Sequence, residues 1–267
     1  MASTHSRFAI VVTAAGLLAA SALTLAQQSP LGYDDTPLQP DGKWRVHDIK
    51  RPRPTVVTPG PPVSAVPPGD AIVLVGAGND LANWQADDGS PASWPISAGV
   101  LETGKGMLRT RREFTDVQLH VEFATPSVVK GTSQERGNSG VFLAGVFEIQ
   151  VLDSFENPTY ADGQAAAMYG QFPPLVNASR PPGEWQSYDI VFTAPRFTAD
   201  KLDTPAIVTV IHNGIVVHNA RAFWGPTNHR KIDPYVPSAA HGPLRLQDHG
   251  NPVRYRNIWV RELRGSD

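Results

Sequence analysis

The segment Phe147-Glu148-Ile149-Gln150-Val151-Leu152-Asp153 holds the densest set of groups able to do proton chemistry. On a regular strand Glu148, Gln150 and Leu152 share one face and Asp153 falls on the other. A β-bulge after Gln150 would bring Asp153 round, so that three polar groups converge on one concave surface. Without the bulge the segment is an ordinary strand with solvent-facing polar residues. A second set closes the chain's later half, Leu246-Gln247-Asp248-His249-Gly250-Asn251-Pro252. An imidazole changes charge near neutral pH as a residue type, so His249 can serve as general base, general acid or metal ligand. Gly250, Asn251 and Pro252 also fit a tight turn capped by Asp248 or Asn251. That alternative leaves Gln247 and His249 unexplained.

Two further runs supply candidate substrate-binding groups. Gly137 and Gly140 flank Asn138 and permit close approach of a neighbouring strand or a ligand. This run opens a strand rather than a helix, which argues against a nucleotide loop. Arg109 and Arg111 lie in a basic cluster, Leu108 to Phe114, that reads either as a solvated strand face or as a source of cationic substrate contacts. Glu148, Gln150, Asp153 and His249 include oxygen and nitrogen donors, yet their spacing matches no recognised metal signature. A divalent ion is therefore an open expectation, and no other cofactor is called for.

The elements that must position these groups read as strands. Val117, Leu119, Val121 and Phe123 alternate with Gln118, His120 and Glu122, which predicts a strand with one apolar and one polar face. Short apolar runs at 71–75, 139–143, 147–152, 188–192, 207–211, 215–217, 244–246 and 258–263 continue the theme. His212-Asn213-Gly214 separates two of them, and Asn-Gly is a strong hairpin signal. With 23 glycines, 25 prolines and no convincing amphipathic helix, residues 70–267 read as one all-β sandwich or jelly roll.

The N-terminal part has a different composition. Arg7 precedes an almost wholly apolar or small stretch from Phe8 to Leu25, ending at Thr24-Leu25-Ala26, the layout of a secretory signal peptide over residues 1–26. Residues 27–69 are proline-rich and read as an extended arm, with Trp44, Val46, His47 and Ile49 as anchors to the domain surface. The chain has no cysteine, which excludes disulfides and lipobox lipidation. The 267-residue chain has a net charge of −2, which gives no electrostatic case for nucleic acid or an anionic membrane. The expected protein is periplasmic or secreted, free of the membrane after signal cleavage, with its oligomeric state open.

Five blocks in order, Leu108–Phe114, Gly137–Leu143, Phe147–Asp153, Gly183–Tyr188 and Leu246–Trp259, resemble the 3-keto-disaccharide hydrolase family over roughly Ala71 to Leu263. The resemblance implies a concanavalin A-like jelly roll, export, and cleavage of 3-keto-glycosides. A similar arm occurs on some members. Ser127–Glu135 looks like an insertion before the Asn138 block and Phe223–His241 lengthens another connection; both are expected to shape specificity.

A ketone at C3 of a sugar acidifies C2–H and leaves the glycosidic oxygen in the β position. Cleavage then needs a base, a group to stabilise the enolate, and an acid for the leaving oxygen. Glu148 or His249 is the expected base; Arg109, Arg111 or a metal ion is the expected enolate partner. Asn138, Gln150 and Gln247 are expected to bind the sugar, with Asp153 a third catalytic candidate. A retaining glycosidase built on Glu148 and Asp153 is the first alternative, and requires carboxyls roughly 5–5.5 Å apart. A non-catalytic carbohydrate-binding module is the second. For that module Trp84, Trp94, Trp224 and Tyr235 are the stacking candidates, while Trp185, Tyr188 and Trp259 read as core.

Overall fold

The structure is a computed structural model that describes residues 30–78 and 81–263. The signal-peptide expectation for residues 1–26 falls outside the described residues. Two antiparallel sheets pack face to face. The larger has the spatial order Ile215–Ala222, Ile207–His212, Gln186–Thr193, Val117–Ala124, Arg254–Glu262, Val100–Glu102, Ile96–Ser97, with Ile72–Val75 also paired to Arg254–Glu262. The smaller runs Trp84–Ala86, Leu108–Phe114, Gly242–Leu246, Ser139–Leu143, Phe147–Val151. Helix among the described residues is limited to single 3₁₀ turns at Ser133–Glu135, Ala161–Gly163 and Pro237–Ala240. The architecture is the all-β, concanavalin A-like jelly roll.

Periodicity explains the core. Val117, Leu119, Val121 and Phe123 point inward from the larger sheet, and Phe147, Ile149 and Val151 point inward from the smaller; all are buried. The turn between Ile207–His212 and Ile215–Ala222 has positive φ at both Asn213 (52°) and Gly214 (82°). That backbone matches the right-handed twist of the flanking strands and favours the Asn-Gly pair.

The outer faces depart from simple alternation. His120 and Glu122, expected on a solvent face, are 1% and 3% exposed. The proline-rich segment covers them: Ser64 donates its hydroxyl to Glu122, and Asn257 donates to both the Ala65 carbonyl and Glu122. Trp84 and Trp94 are core residues, 1% and 2% exposed. Each indole N–H donates to a backbone carbonyl, of Leu74 and Gly106 respectively. They are therefore not stacking platforms. Trp185, expected in the core, instead sits half-buried on the outer surface with Arg256 over its ring.

The segment before the domain is only partly extended. Residues 30–51 double back on themselves through bridges Tyr33↔Asp48 and Leu38↔Arg45. Val46 and His47 are fully buried, whereas the Ile49 side chain is exposed. Further on, Thr55–Val56 runs parallel to Val176–Asn177.

Candidate active site

The outer face of the smaller sheet carries a cavity of about 410 Å³. The strands Ser139–Leu143 and Phe147–Val151 pair without a register shift, Gly140 opposite Gln150 and Phe142 opposite Glu148. Glu148 and Gln150 therefore point out of the core, into the cavity, as the alternation predicts. A Cβ at Gly140 would collide with the Glu148 carboxyl. The glycine is what lets that side chain lie across the adjacent strand.

Glu148 is 4% exposed. Burial alone pushes its carboxyl up to about 8; no cation or hydrogen-bond donor among the described residues offsets it. Gln150 is 1% exposed. Its Nε2 donates to Gln134 Oε1 at 2.9 Å, and Gln134 Nε2 in turn donates to Thr159 Oγ1 and the Gly163 carbonyl. That network leaves Gln150 Oε1 a buried acceptor with no partner. Asn138 donates Nδ2 to the Gln134 carbonyl at 2.6 Å, so Gln134 fixes both amides that flank the carboxyl.

The opposite wall is built from residues with no strand periodicity. Tyr160 Oη lies 3.1 Å from Tyr169 Oη, which lies 3.0 Å from His229 Nδ1. Burial raises both phenol pKa values well above the ordinary tyrosine range, and for Tyr169 the nearby Glu148 adds to the rise. His229 is exposed at the mouth of the cavity, and partial desolvation of its ring, followed by the neighbouring His47, Arg230 and His249, lowers it to about 4. All three groups are therefore neutral at pH 7. Tyr33, from the segment before the domain, and His249 complete the lining.

The expected site residues divide accordingly. Glu148, Gln150, Asn138, Gln247 and His249 meet at this one cavity. His249 is exposed at its rim. Asp248 and Asn251 behave as the turn alternative requires: Asp248 accepts from the Gly106 and Gly250 N–H groups, and Asn251 donates to the His249 carbonyl. Asp153 does not join them. With no bulge in the strand pairing it stays on the other side, accepting from Arg136 Nε at 2.7 Å and lining a separate cleft with Gly137 and Asn251. Burial raises its pKa and Arg136 opposes the rise. The close Glu148–Asp153 pair that a retaining glycosidase needs is absent from this cavity.

The arginines are also displaced. Arg109 is level with Arg245, Phe142 and Glu148 across the strands, so it shares their face but stands at least two strands from the carboxyl. Arg111 donates to the Ala82 carbonyl and to Gln85. Neither lines the cavity. Among the described residues no three His, Asp or Glu side chains converge as a metal-binding group. Sequence reasoning missed Tyr33, Gln134, Tyr160, Tyr169 and His229. Gln134 and His229 had a signal, their positions within Ser127–Glu135 and Phe223–His241.

The fold and this site define a carbohydrate-active jelly-roll protein. The chain belongs to the 3-keto-alpha-glucoside-1,2-lyase-like domain family, which matches residues 70–261. It is 44% identical to a proposed glycosyl hydrolase from Parabacteroides distasonis, whose crystal structure aligns with a TM-score of 0.71 over 80% of this chain and 93% of that one. A second proposed glycosyl hydrolase from the same organism, 17% identical, aligns with a TM-score of 0.54 over 73% and 94%. No curated protein matches the chain.

Proposed function

We propose that the protein cleaves 3-keto-glycosides by elimination followed by hydration. The observation that carries this reading is the solitary Glu148 carboxyl, buried without a cation or donor and pushed up to about 8. A base with a pKa near the working pH suits removal of a carbon acid activated by an adjacent ketone. In the ionised form Glu148 takes the C2 proton, and the electron pair moves into a C2–C3 enolate. Collapse of the enolate breaks the C1–O bond and forms the C1–C2 double bond. Water then adds at C1, and C2 regains a proton.

The neutral Tyr160–Tyr169–His229 chain suits the enolate oxygen, because hydrogen-bond donors that keep their protons stabilise a developing oxyanion. It takes the role that Arg109 and Arg111 were expected to fill. Gln150 Oε1 and the amides of Asn138 and Gln247 suit the sugar hydroxyls. His249, at the rim, suits protonation of the leaving oxygen. Membership of the lyase-like family agrees with elimination chemistry. We also propose that residues 1–26 direct export to the periplasm or beyond, and that the mature chain meets its sugar there.

The test is turnover in D₂O of a 3-keto-glucoside beside the unoxidised glucoside, each with and without prior EDTA treatment. The reading expects turnover of the keto substrate alone, with deuterium at C2 of the released sugar. Deuterium-free product, or turnover of the plain glucoside, would reject it. EDTA sensitivity would add a divalent ion to the chemistry.

A further inference from the structure

The cavity's tyrosine wall rests on a histidine outside the matched domain. His47 belongs to residues 30–51, and the family match begins at residue 70. Its side chain is fully buried, with Nδ1 3.1 Å from Asp162 Oδ1. The His47 N–H donates to Asp162 Oδ2 at 3.0 Å, and Gln39 Nε2 reaches the same oxygen at 3.2 Å. Arg51 lies 3.7 Å from it. Burial favours protonation of Asp162, yet His47 and Arg51 outweigh it and hold the carboxyl below the ordinary carboxylate range. An ionised Asp162 accepts from Nδ1–H and so fixes the orientation of the ring.

The other ring nitrogen, His47 Nε2, is a buried atom with no hydrogen-bond partner among the described residues. The ring is wedged among the residues of the wall. Its centroid lies 4.1 Å from Tyr160, 4.8 Å from Tyr169 and 5.3 Å from His229. The backbone also departs from the ordinary at this point, with φ of 56° at a non-glycine residue. Conformations of that kind persist only where the surroundings impose them. Here the imposing contacts are the paired bonds to Asp162. The segment is latched at its start as well: Tyr33 packs edge-on to His229 at 5.7 Å, with Arg230 over its ring and paired to Asp35.

We propose that His47, held by Asp162, is a positioning residue that sets the Tyr160–Tyr169–His229 chain, and that residues 30–51 are thereby an integral part of the active site. This rests on the reading that the Glu148 cavity is where chemistry occurs. The domain that defines the family supplies the carboxyl and the amides; the segment before it supplies the support that aims the oxyanion donors. A misplacement of about 1 Å in such donors costs on the order of 100-fold in rate.

The experiment is His47→Asn in the otherwise unaltered chain. Asparagine tolerates a positive φ and presents an N–H near the position of Nδ1, so it keeps the latch to Asp162 while removing the ring. Three readouts are taken: thermal melting, kcat and KM on the 3-keto-glucoside, and the His229 midpoint from NMR titration of its ring carbon proton. Besides His47, the groups acting electrostatically on His229 are Arg230 and His249, and both stay in place. We expect unchanged melting, kcat lowered about 10- to 100-fold with KM within about threefold, and a His229 midpoint moved upward. Wild-type kcat with an unmoved midpoint would overturn the proposal. If the wild-type protein turns over no 3-keto-glycoside, the proposed reaction fails; the His229 midpoint still decides whether His47 sets the wall. A large fall in melting temperature in His47→Asn would call for Tyr160→Phe, which removes one member of the chain. Loss of kcat at constant melting supports the proposal there, and wild-type kcat overturns it.

Discussion

The Glu148 carboxyl lies over Gly140 of the neighbouring strand, where any larger residue would occupy its place. Two side chains from paired strands thus share one position, and the site depends on one of them being a hydrogen atom. Glycine inside a strand weakens it, and here that weakness makes room for a functional group.

Gly140→Ala is expected to displace the carboxyl without unfolding the sheet, because the strand hydrogen bonds on either side are unaffected. Turnover should fall on the order of 100-fold, the scale of small misplacements of a reacting group. Steady-state kinetics with a parallel melting curve checks this; retained turnover would show that the carboxyl has another productive position.

Glu148→Gln is expected to abolish turnover and to stabilise the fold in alkaline solution. The carboxyl is raised from 4.5 unfolded to about 8 folded. Its contribution is therefore fully present below pH about 4.5 and is lost as pH rises through about 8. The neutral amide escapes that loss, so the variant should melt higher than wild type at pH 9, by an amount on the order of a few kcal/mol. Melting curves at pH 4 and pH 9 decide it: equal differences at the two pH values would mean that the raised pKa is wrong.

The rate should rise with pH as Glu148 ionises. For a general base pushed up to about 8, kcat/KM climbs through that region and levels above it, since only the ionised form accepts the C2 proton. A profile that falls through the same region would assign Glu148 the acid role instead. His249→Ala should greatly reduce turnover at unchanged melting, because that ring is exposed and supports no packing.

Asp153→Asn should behave as a structural change. Removing the charge leaves Arg136, whose Nε donates to Asp153 at 2.7 Å, facing a neutral partner in a largely buried site. A loss of roughly 3 kcal/mol of stability follows from breaking such a pair, with kcat of the remaining folded protein near wild type. A complete loss of kcat at full stability would return Asp153 to the catalytic set.

Several of these features were legible in the chain alone. The period of two between Val117 and Phe123 placed the core face, and Asn213-Gly214 placed a hairpin whose geometry the structure reproduces. The same alternation put Glu148 and Gln150 on one side of their strand, because side chains leave a pleated backbone on alternate faces whatever the fold. The bulge expected to bring Asp153 round is absent, and the same alternation that turned Glu148 and Gln150 into the cavity turned Asp153 away. A bulge leaves no mark in the sequence, and the uninterrupted pairing to Ser139–Leu143 kept Asp153 out of the cavity. Arg109 and Arg111 shared a face with the site, but only the order of strands in the sheet set their distance from Glu148.

What the sequence by itself determined is the class of fold and the identity of the strand-borne polar groups, since both follow from local periodicity and from residue chemistry. What only the tertiary structure decided is the wall that faces them. Tyr33 and His47 come from the N-terminal segment, and Tyr160, Tyr169 and His229 from non-periodic connections far along the chain; they meet because two sheets and a folded-back N-terminal segment bring them together. The raised carboxyl of Glu148 belongs with them, because desolvation arises from the atoms packed around a group and not from its neighbours along the chain.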